Sequence, residues 1–276
     1  MSTKELTIAI NGYKSPELLR LCLQSVFKHI NQNKIDCEVL VTDSATEEST
    51  EMLMREEFPS VRFLPFRKNV GFSTMANASL REARGKYVFL INSDIVLTDL
   101  VVTQMLDFLR ARPDIGILSP KQLNFNGTLQ PSCFHFYRPL TILYRRTWLG
   151  KLPFAKRHLN WFVMADYDKL EPRAVDWVMG SAMFVTKKAV ERVGMMDQRF
   201  FMYMEDVDWC RRFWEQGFKV VYYPEVFVYH YHGKGSAKGG LFGSLFFNPL
   251  TWYHIKSATQ YFWKYWGKPL PRVENV

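Results

Sequence analysis

The sequence predicts an α/β fold: a mainly parallel sheet flanked by helices, with a C-terminal aromatic helical segment. Short apolar runs at residues 6–10, 39–41, 61–64 and 87–91 alternate with amphipathic stretches. Repeated βαβ units of this kind require parallel strands with helices on both faces. The run at 87–91, Tyr-Val-Phe-Leu-Ile, is apolar throughout, as a strand covered on both sides must be. A hydrophobic content of 47% over 276 residues is ample for a packed core.

The elements follow in order. After the first strand, Ser15-Pro16-Glu17 offers an N-cap, a proline at the first helical position and an early acid. Leu19, Cys22, Leu23, Val26 and Phe27 then recur at helical spacing. The second strand ends at Asp43, residues 46–57 read as a helix, and a further helix over 74–84 precedes the fourth strand. Beyond Asp94 a helix over 99–112 stops before Pro113, a strand covers 115–118, and Asn126-Gly127 marks a hairpin turn. Residues 134–172 are the least regular portion. A strand returns over 175–185, broken by Gly180-Ser181, and a short helix covers 187–193. A helix over 206–216 is closed by Gly217, and a strand over 220–223 ends at Pro224. A glycine-rich loop (233–243) and an aromatic helix (250–266) complete the chain. Neither a repeat nor a linker interrupts it. The expected organisation is one domain over 1–246, with halves meeting near 119, and a helix over 247–276 packed on that domain or on a membrane.

Composition narrows the partners. The net charge of +9 favours anionic company. No stretch approaches the roughly 18 apolar residues of a membrane span, and Met1-Ser2-Thr3-Lys4-Glu5 is no signal-peptide core, so the expected compartment is the cytoplasm. Cys22, Cys37, Cys133 and Cys210 are scattered without a Cys-x-x-Cys pair, which suggests free thiols. No nucleic-acid-binding motif accompanies the charge.

Four groups of residues carry candidate chemistry. Asp94 follows the apolar fourth strand and so projects from its carboxyl edge, where ligands collect in open sheets. A carboxylate there suits a hard cation gripping a diphosphate, and equally a helix cap. Asp43, at the end of the second strand, reads as a ribose or base contact or as a turn residue. Glu205-Asp206-Val207-Asp208 crowds three acids within four positions, which raises at least one pKa and suits a proton acceptor. Acids at a helix start are also ordinary dipole partners. The apolar run Phe200-Phe201-Met202-Tyr203-Met204 before them is the surround in which a base is tuned. His230 and His232 would face one side of an extended strand, and Lys234, Ser236 and Lys238 among glycines offer a phosphate loop.

In this order the segments resemble family 2 glycosyltransferases of the GT-A fold, in particular the bacterial rhamnosyltransferase-like branch. Ile8-Ala9-Ile10-Asn11-Gly12-Tyr13, Pro16-Glu17-Leu18-Leu19 and the strand ending in Asp43 resemble the family's nucleotide-binding start. Asn69-Val70-Gly71-Phe72 through Asn77, then residues 85–94, resemble the approach to its metal-binding motif. Residues 180–185 are similar to its acceptor-side strand and 200–208 to its Glu-Asp-x-Asp catalytic segment, while His230 falls where the family often places a metal- or diphosphate-contacting histidine. Two departures stand out. Asn92-Ser93-Asp94 replaces the usual Asp-x-Asp with one carboxylate fewer, and Asn11-Gly12-Tyr13 replaces a common Thr-Tyr-Asn.

The resemblance implies an inverting glycosyltransferase of cell-surface polysaccharide synthesis, with a nucleotide-diphosphate sugar, rhamnose among the candidates, as donor and a glycan or isoprenoid-linked saccharide as acceptor. It implies Asp206 as base, and Glu205, Asp208, Gly180 and Ser181 orienting the acceptor. Asn11, Tyr13, Asp43, Asn69, Gly71, Asn77, Asn92 and Ser93 would line the nucleotide-sugar, and Asp94 with His230 would hold Mg2+ or Mn2+. A nucleotidyltransferase, or a non-catalytic membrane-associated sugar-binding relative, is the alternative. The first would carry a glycine-rich phosphate loop where Asn11-Gly12-Tyr13-Lys14 stands, and the second has no need of a base. Cations interleaved with aromatics, Arg138, Arg145, Arg146, Lys151, Lys156 and Arg157 among Tyr137, Tyr144, Trp148, Phe154 and Trp161, with Trp252, Trp263 and Trp266 beside Lys256 and Lys264, suit the inner leaflet of a membrane. A packed second half or a homodimer interface would use the same residues.

Overall fold

A computed structural model describes residues 4–231 and 249–273. The chain opens with β1 (Leu6–Tyr13), α1 (Pro16–Asn33), β2 (Cys37–Ser44), α2 (Glu48–Glu56), β3 (Arg62–Phe66), α3 (Phe72–Glu82), β4 (Tyr87–Asn92), β5 (Ile95–Leu97) and α4 (Val101–Ala111). It continues through β6 (Ile115–Leu123), β7 (Leu129–Gln130), β8 (Cys133–Phe134), α5 (Pro139–Arg146), a 3-10 turn (Trp148–Lys151) and α6 (Pro153–Phe162). Then come β9 (Arg173–Ala174), β10 (Trp177–Val178), β11 (Ala182–Thr186), α7 (Lys187–Val193), α8 (Glu205–Glu215), β12 (Lys219–His230) and α9 (Pro249–Lys264).

One sheet organises the described residues, in the order β3-β2-β1-β4-β11-β6-β12-β5. The first four strands are parallel, β11 runs antiparallel between β4 and β6, and β6 and β12 are parallel again. The expected mainly parallel sheet is present. Alternation along each strand feeds two cores. Leu6, Ile8 and Ile10 of β1 with Phe89 and Ile91 of β4 meet α1, α2 and α4. Ala9, Val88 and Leu90 face the other way, onto a cluster containing residues of α3, α7, α8 and α9.

Several expectations need correction. Ser15 stands at the N-cap of α1, but its hydroxyl donates to the Tyr13 carbonyl and caps no helix N–H, leaving Pro16 to start the helix. The stretch 134–172 holds two helices, α5 and α6, each opened by a proline at its first turn. The last long strand does not end at Pro224. Its register on β6 shifts between Tyr223 and Phe227, so the proline sits where the ladder is already broken, and pairing resumes to His230. Asp94 caps no helix, for it lies in the tight turn between β4 and β5. The Asn126-Gly127 hairpin is as expected: Gln122 and Gln130 pair across it, and Gly127 adopts φ +79°. Among the free cysteines, Cys22, Cys133 and Cys210 are buried and Cys37 half-buried. His232, Lys234, Ser236 and Lys238 lie outside the described residues.

Candidate active site

The carboxyl ends of β2, β1 and β4 lie side by side, with Asn11 opposite both Thr42 and Asn92 in register. Asn11 shares the sheet face of Ala9, so it meets α3: its Oδ1 accepts from Ser79 Oγ, which also pairs with Thr42 Oγ1. The Asn11 amide nitrogen is buried with no partner. So are an oxygen of Asp43, the side-chain oxygen of Asn92 and an oxygen of Asp94. Native proteins rarely bury polar atoms without a hydrogen bond, and four such atoms gather at this sheet edge, the Asp94 oxygen having only His230 Nε2 at 3.5 Å beside it. Asp43 carries the same signature in its titration, since burial pushes its carboxyl above the ordinary range. Gly12 leaves that carboxylate its place, because a Cβ there would stand 2.6 Å from Asp43 Oδ1 and push it aside. Tyr13, at the end of β1, is exposed.

The Asp94 turn joins this edge to the far side of the sheet. Ser93 N–H donates to the Asn11 carbonyl, which ties the turn to β1. Beyond it β5 pairs with β12, setting Ile95 opposite His230, and the Tyr231 N–H donates to the Asp94 carbonyl at 3.0 Å. His230 Nε2 thereby comes to 3.5 Å from Asp94 Oδ1, with the imidazole only 4% exposed. Its Nδ1 lies 2.8 Å from Gln130 Oε1.

Asp206 sits in the first turn of α8. Two backbone N–H groups hold its two oxygens, Gly180 at 3.1 Å on Oδ2 and Val207 at 2.9 Å on Oδ1. These donors favour the carboxylate, yet burial outweighs them and pushes the pKa up to about 6. The crowding expected of the acidic run therefore operates mainly through desolvation. Glu205 is buried beside it and raised well above its ordinary value by burial and then by the Asp206 charge. Glu205 also keeps one buried oxygen unpartnered.

Gly180-Ser181 separates β10 from β11 and connects the two carboxylate regions. Ser181 donates its hydroxyl to Gln122 Oε1 at 2.9 Å, and its carbonyl accepts the Asn92 N–H. Gln122 pairs with Gln130, which holds His230. A continuous set of contacts thus runs from Asp206 through Gly180, Ser181, Gln122 and Gln130 to His230 and Asp94. Gln122 and Gln130 were missed by the sequence reading. The available signal was two glutamines in otherwise strand-like segments on either side of the Asn126-Gly127 turn.

Three predicted site residues have other occupations. Asp208 has no solvent exposure and points to α9, where it accepts from Tyr265 Oη at 2.9 Å and Lys264 Nζ at 2.5 Å, besides Arg212 of its own helix. Two positions along a helix turn a side chain about 200° away, so Asp206 and Asp208 do not share a face. Asn77 is spent on both backbone groups of Met196, at 2.8 and 2.9 Å. Asn69 braces its own loop by accepting from the Gly71 N–H. Gly71 itself has φ +78° and lies so close to Phe201 that a Cβ would meet its carbonyl at 2.4 Å. Phe72 N–H and Ser73 Oγ bind the carbonyls of Phe201 and Phe200. The Asn69 to Asn77 segment therefore positions the loop before Asp206.

The fold is that of GT-A glycosyltransferases. The solved structure of S. aureus TarS 1-349 superposes with a TM-score of 0.56 at 12% identity, over 82% of this chain and 60% of that one. GalNAc-T7 with UDP, GalNAc and Mn2+ superposes with a TM-score of 0.61 at 13% identity, over 83% of this chain and 43% of that one. The chain thus spans less than two thirds of either structure, and the likeness is one of fold.

Residues 4–241 match the family described as glycosyltransferase like family 2, and the chain belongs to that family. It is 31% identical over 214 residues to the N-acetylglucosaminyl-diphospho-decaprenol L-rhamnosyltransferase of Mycobacterium tuberculosis, covering 72% of this chain and 68% of that protein. It is 34% identical over 87 residues to rhamnosyltransferase WbbL of Escherichia coli, covering 32% of this chain and 30% of that one. The protein is a glycosyltransferase.

Proposed function

We propose that the enzyme transfers a sugar, with inversion, from a nucleotide-diphosphate donor to a hydroxyl of a glycan or isoprenoid-diphosphate-linked acceptor, in cell-surface polysaccharide synthesis. The observation that carries this reading is the setting of Asp206: two N–H donors fix the carboxylate while burial lifts its pKa to about 6, suited to a base at neutral pH. Asp206 takes the acceptor O–H proton as that oxygen bonds to the anomeric carbon. The bond from that carbon to the diphosphate oxygen breaks, and its electron pair leaves with the nucleoside diphosphate. Names of relatives support a rhamnosyl donor and a lipid-linked acceptor.

Asp94 and His230 fit a divalent cation. The buried Asp94 oxygen, which accepts no hydrogen bond, and the imidazole nitrogen 3.5 Å from it are a mixed O/N donor pair that Mg2+ or Mn2+ accepts. Among the described residues no three His, Cys, Asp or Glu side chains gather around one point, so the remaining ligands would be diphosphate and water oxygens. Bound there, the cation would offset the charge of the leaving diphosphate. The unpartnered atoms of Asn11, Asp43 and Asn92 would take up the nucleoside and sugar.

The second part of the proposal is a peripheral seat on the cytoplasmic face of a membrane. Trp148, Trp263 and Trp266 are 66%, 82% and 83% exposed, which is unusual for tryptophan. The segments that carry them, 115–165 and 249–273, hold Lys and Arg residues and no acid. Exposed cations and tryptophans together suit anionic headgroups better than a second protein surface. Among the described residues no helix is long and apolar enough to cross a membrane.

A panel of nucleotide-sugars assayed for nucleotide release with a lipid-linked acceptor, with and without EDTA, tests the reaction. Full turnover by Asp206→Asn with the right pair would remove Asp206 as base, and full turnover in EDTA would remove the cation. Cosedimentation with phosphatidylglycerol vesicles at low salt tests the membrane seat. No binding, with a concentration-dependent dimer by sedimentation velocity, would assign those aromatics to a homodimer instead.

A further inference from the structure

At the end of the sheet opposite to Asp94, where β4 begins and β11 finishes with Tyr87 and Thr186 paired, a cavity of about 460 Å³ opens. Cavities of this size hold small organic ligands. The six residues of β4 lie between it and Asn92, so about 17 Å of strand separates it from the active site.

Its wall carries Arg84, Lys86, Arg110, Lys187 and Lys188 against one carboxylate, Glu191. Two of these cations are fixed in place. Lys187 Nζ donates to the Ala83 carbonyl at 2.6 Å, which leaves two ammonium protons to donate elsewhere. Arg110 is taken up by Glu5 and Asp107. The Glu5 carboxyl is held below its ordinary range first by its hydrogen bonds to Arg110 and also by the Lys86 charge, so it offsets part of the field. Arg84, Lys86 and Lys188 nevertheless form no salt bridge among the described residues. Like charges gathered in this way repel one another, and an anion bound between them removes the repulsion. A phosphate monoester brings nearly two charges and three acceptor oxygens, against one charge and two oxygens for a carboxylate. Tyr87 and Leu109 also line the cavity and offer apolar surface to the group esterified to it.

We propose that this cavity is a second binding site, apart from the reaction site, which takes the phosphate of a phosphorylated small molecule or of a lipid headgroup. Arg84, Lys86, Lys187 and Lys188 meet the phosphate oxygens. The inference is independent of the roles given to Asp94, His230 and Asp206.

The experiment treats full-length protein, in EDTA, briefly with an amine-reactive ester and reads labelling at each lysine by mass spectrometry. The probes are phenyl phosphate, benzoate at matched ionic strength, and phosphatidylglycerol vesicles. Phenyl phosphate is expected to slow labelling of Lys86 and Lys188 severalfold and saturably, benzoate to do much less, and Lys34, exposed at the end of α1, to label at its usual rate. Replacing both exposed lysines, Lys86→Gln with Lys188→Gln, should weaken phenyl phosphate binding at least about tenfold, read at Lys187. Protection by phenyl phosphate assigns a soluble ligand, and protection by vesicles alone assigns the headgroup; either supports the site. No protection by either probe, equal protection at Lys34, benzoate as effective as phenyl phosphate, or a double variant within about twofold of wild type overturns it.

Discussion

Lys264 and Asp208 bolt the C-terminal helix onto the helix that begins at Asp206, the ammonium lying 2.5 Å from a carboxylate with no solvent exposure. Lys264 also reaches Asp197 at 2.8 Å, whose carboxyl is held well below its ordinary range first by Arg199 and also by Lys264. Tyr265, Ser257 and the Tyr253 ring add contacts to Asp208, the Met202 carbonyl and Phe201. The helix thus braces both the loop before Asp206 and α8.

Lys264→Met is therefore expected to cost about 2–3 kcal/mol, less than the roughly 3–5 kcal/mol of a fully orphaned buried charge because Arg212 and Tyr265 remain on Asp208. Urea unfolding measures it. Turnover per folded molecule should fall too, since the loop before Asp206 loses its brace.

Asp206→Asn separates activity from stability. The folded pKa of about 6 lies above the unfolded one, so the native state favours the protonated form. Ionisation destabilises the fold progressively as pH rises between the unfolded value and about 6, and fully above that. The asparagine variant should be more stable than wild type by about 1–2 kcal/mol at pH 8, below the full linkage value because one N–H loses its acceptor, and the gain should vanish below about pH 4. Thermal melts across pH check this, while nucleotide release falls by at least about a hundredfold. In wild type, kcat/KM should drop as pH falls through about 6.

Gly12→Ala tests Asp43. The new methyl would meet Asp43 Oδ1 at 2.6 Å, and the carboxylate, as the end of a side chain, is what gives way. Stability should change little, whereas the donor KM rises about tenfold, equivalent to about 1.4 kcal/mol of lost binding. Initial rates over donor concentration measure it.

Asn77→Ala should behave in the opposite manner. It strips partners from both backbone groups of Met196 in a buried setting, a loss of about 2–4 kcal/mol. With the side chain spent there, the donor KM of the folded variant should match wild type. Denaturation and kinetics together decide.

Much of this architecture was legible in the sequence because local signals agreed with tertiary ones. Helix α7 was read to the residue, and its ends show why: Thr186 Oγ1 accepts from the Ala189 N–H, and Gly194 adopts φ +86°. Helices α5 and α6 were hidden because aromatic and basic residues on their outer faces blur an apolar stripe, as the 52% and 59% exposures of Leu140 and Phe154 illustrate. Strand β12 was cut short because proline speaks for itself alone, while the register shift that accommodates it is a property of the pairing with β6. At the site, the acidic motifs pointed to the turn that holds Asp94 and to the start of α8. Side-chain direction decided the rest, turning Asp208 inward and Asn77 toward Met196. Glutamines 122 and 130 stand out in the sequence only as polar residues flanking the Asn126-Gly127 turn, and strand register is what brings them together.

The pairing of β5 with β12 also sets a schedule for synthesis. Asp94 leaves the ribosome soon after the first four strands, but the imidazole that faces it belongs to the last strand of the sheet. A nascent chain can therefore assemble the β3-β2-β1-β4 edge early and still lack the Asp94–His230 pair until β12 docks. A chain truncated before His230 would be expected to fold its first strands without gaining catalytic competence.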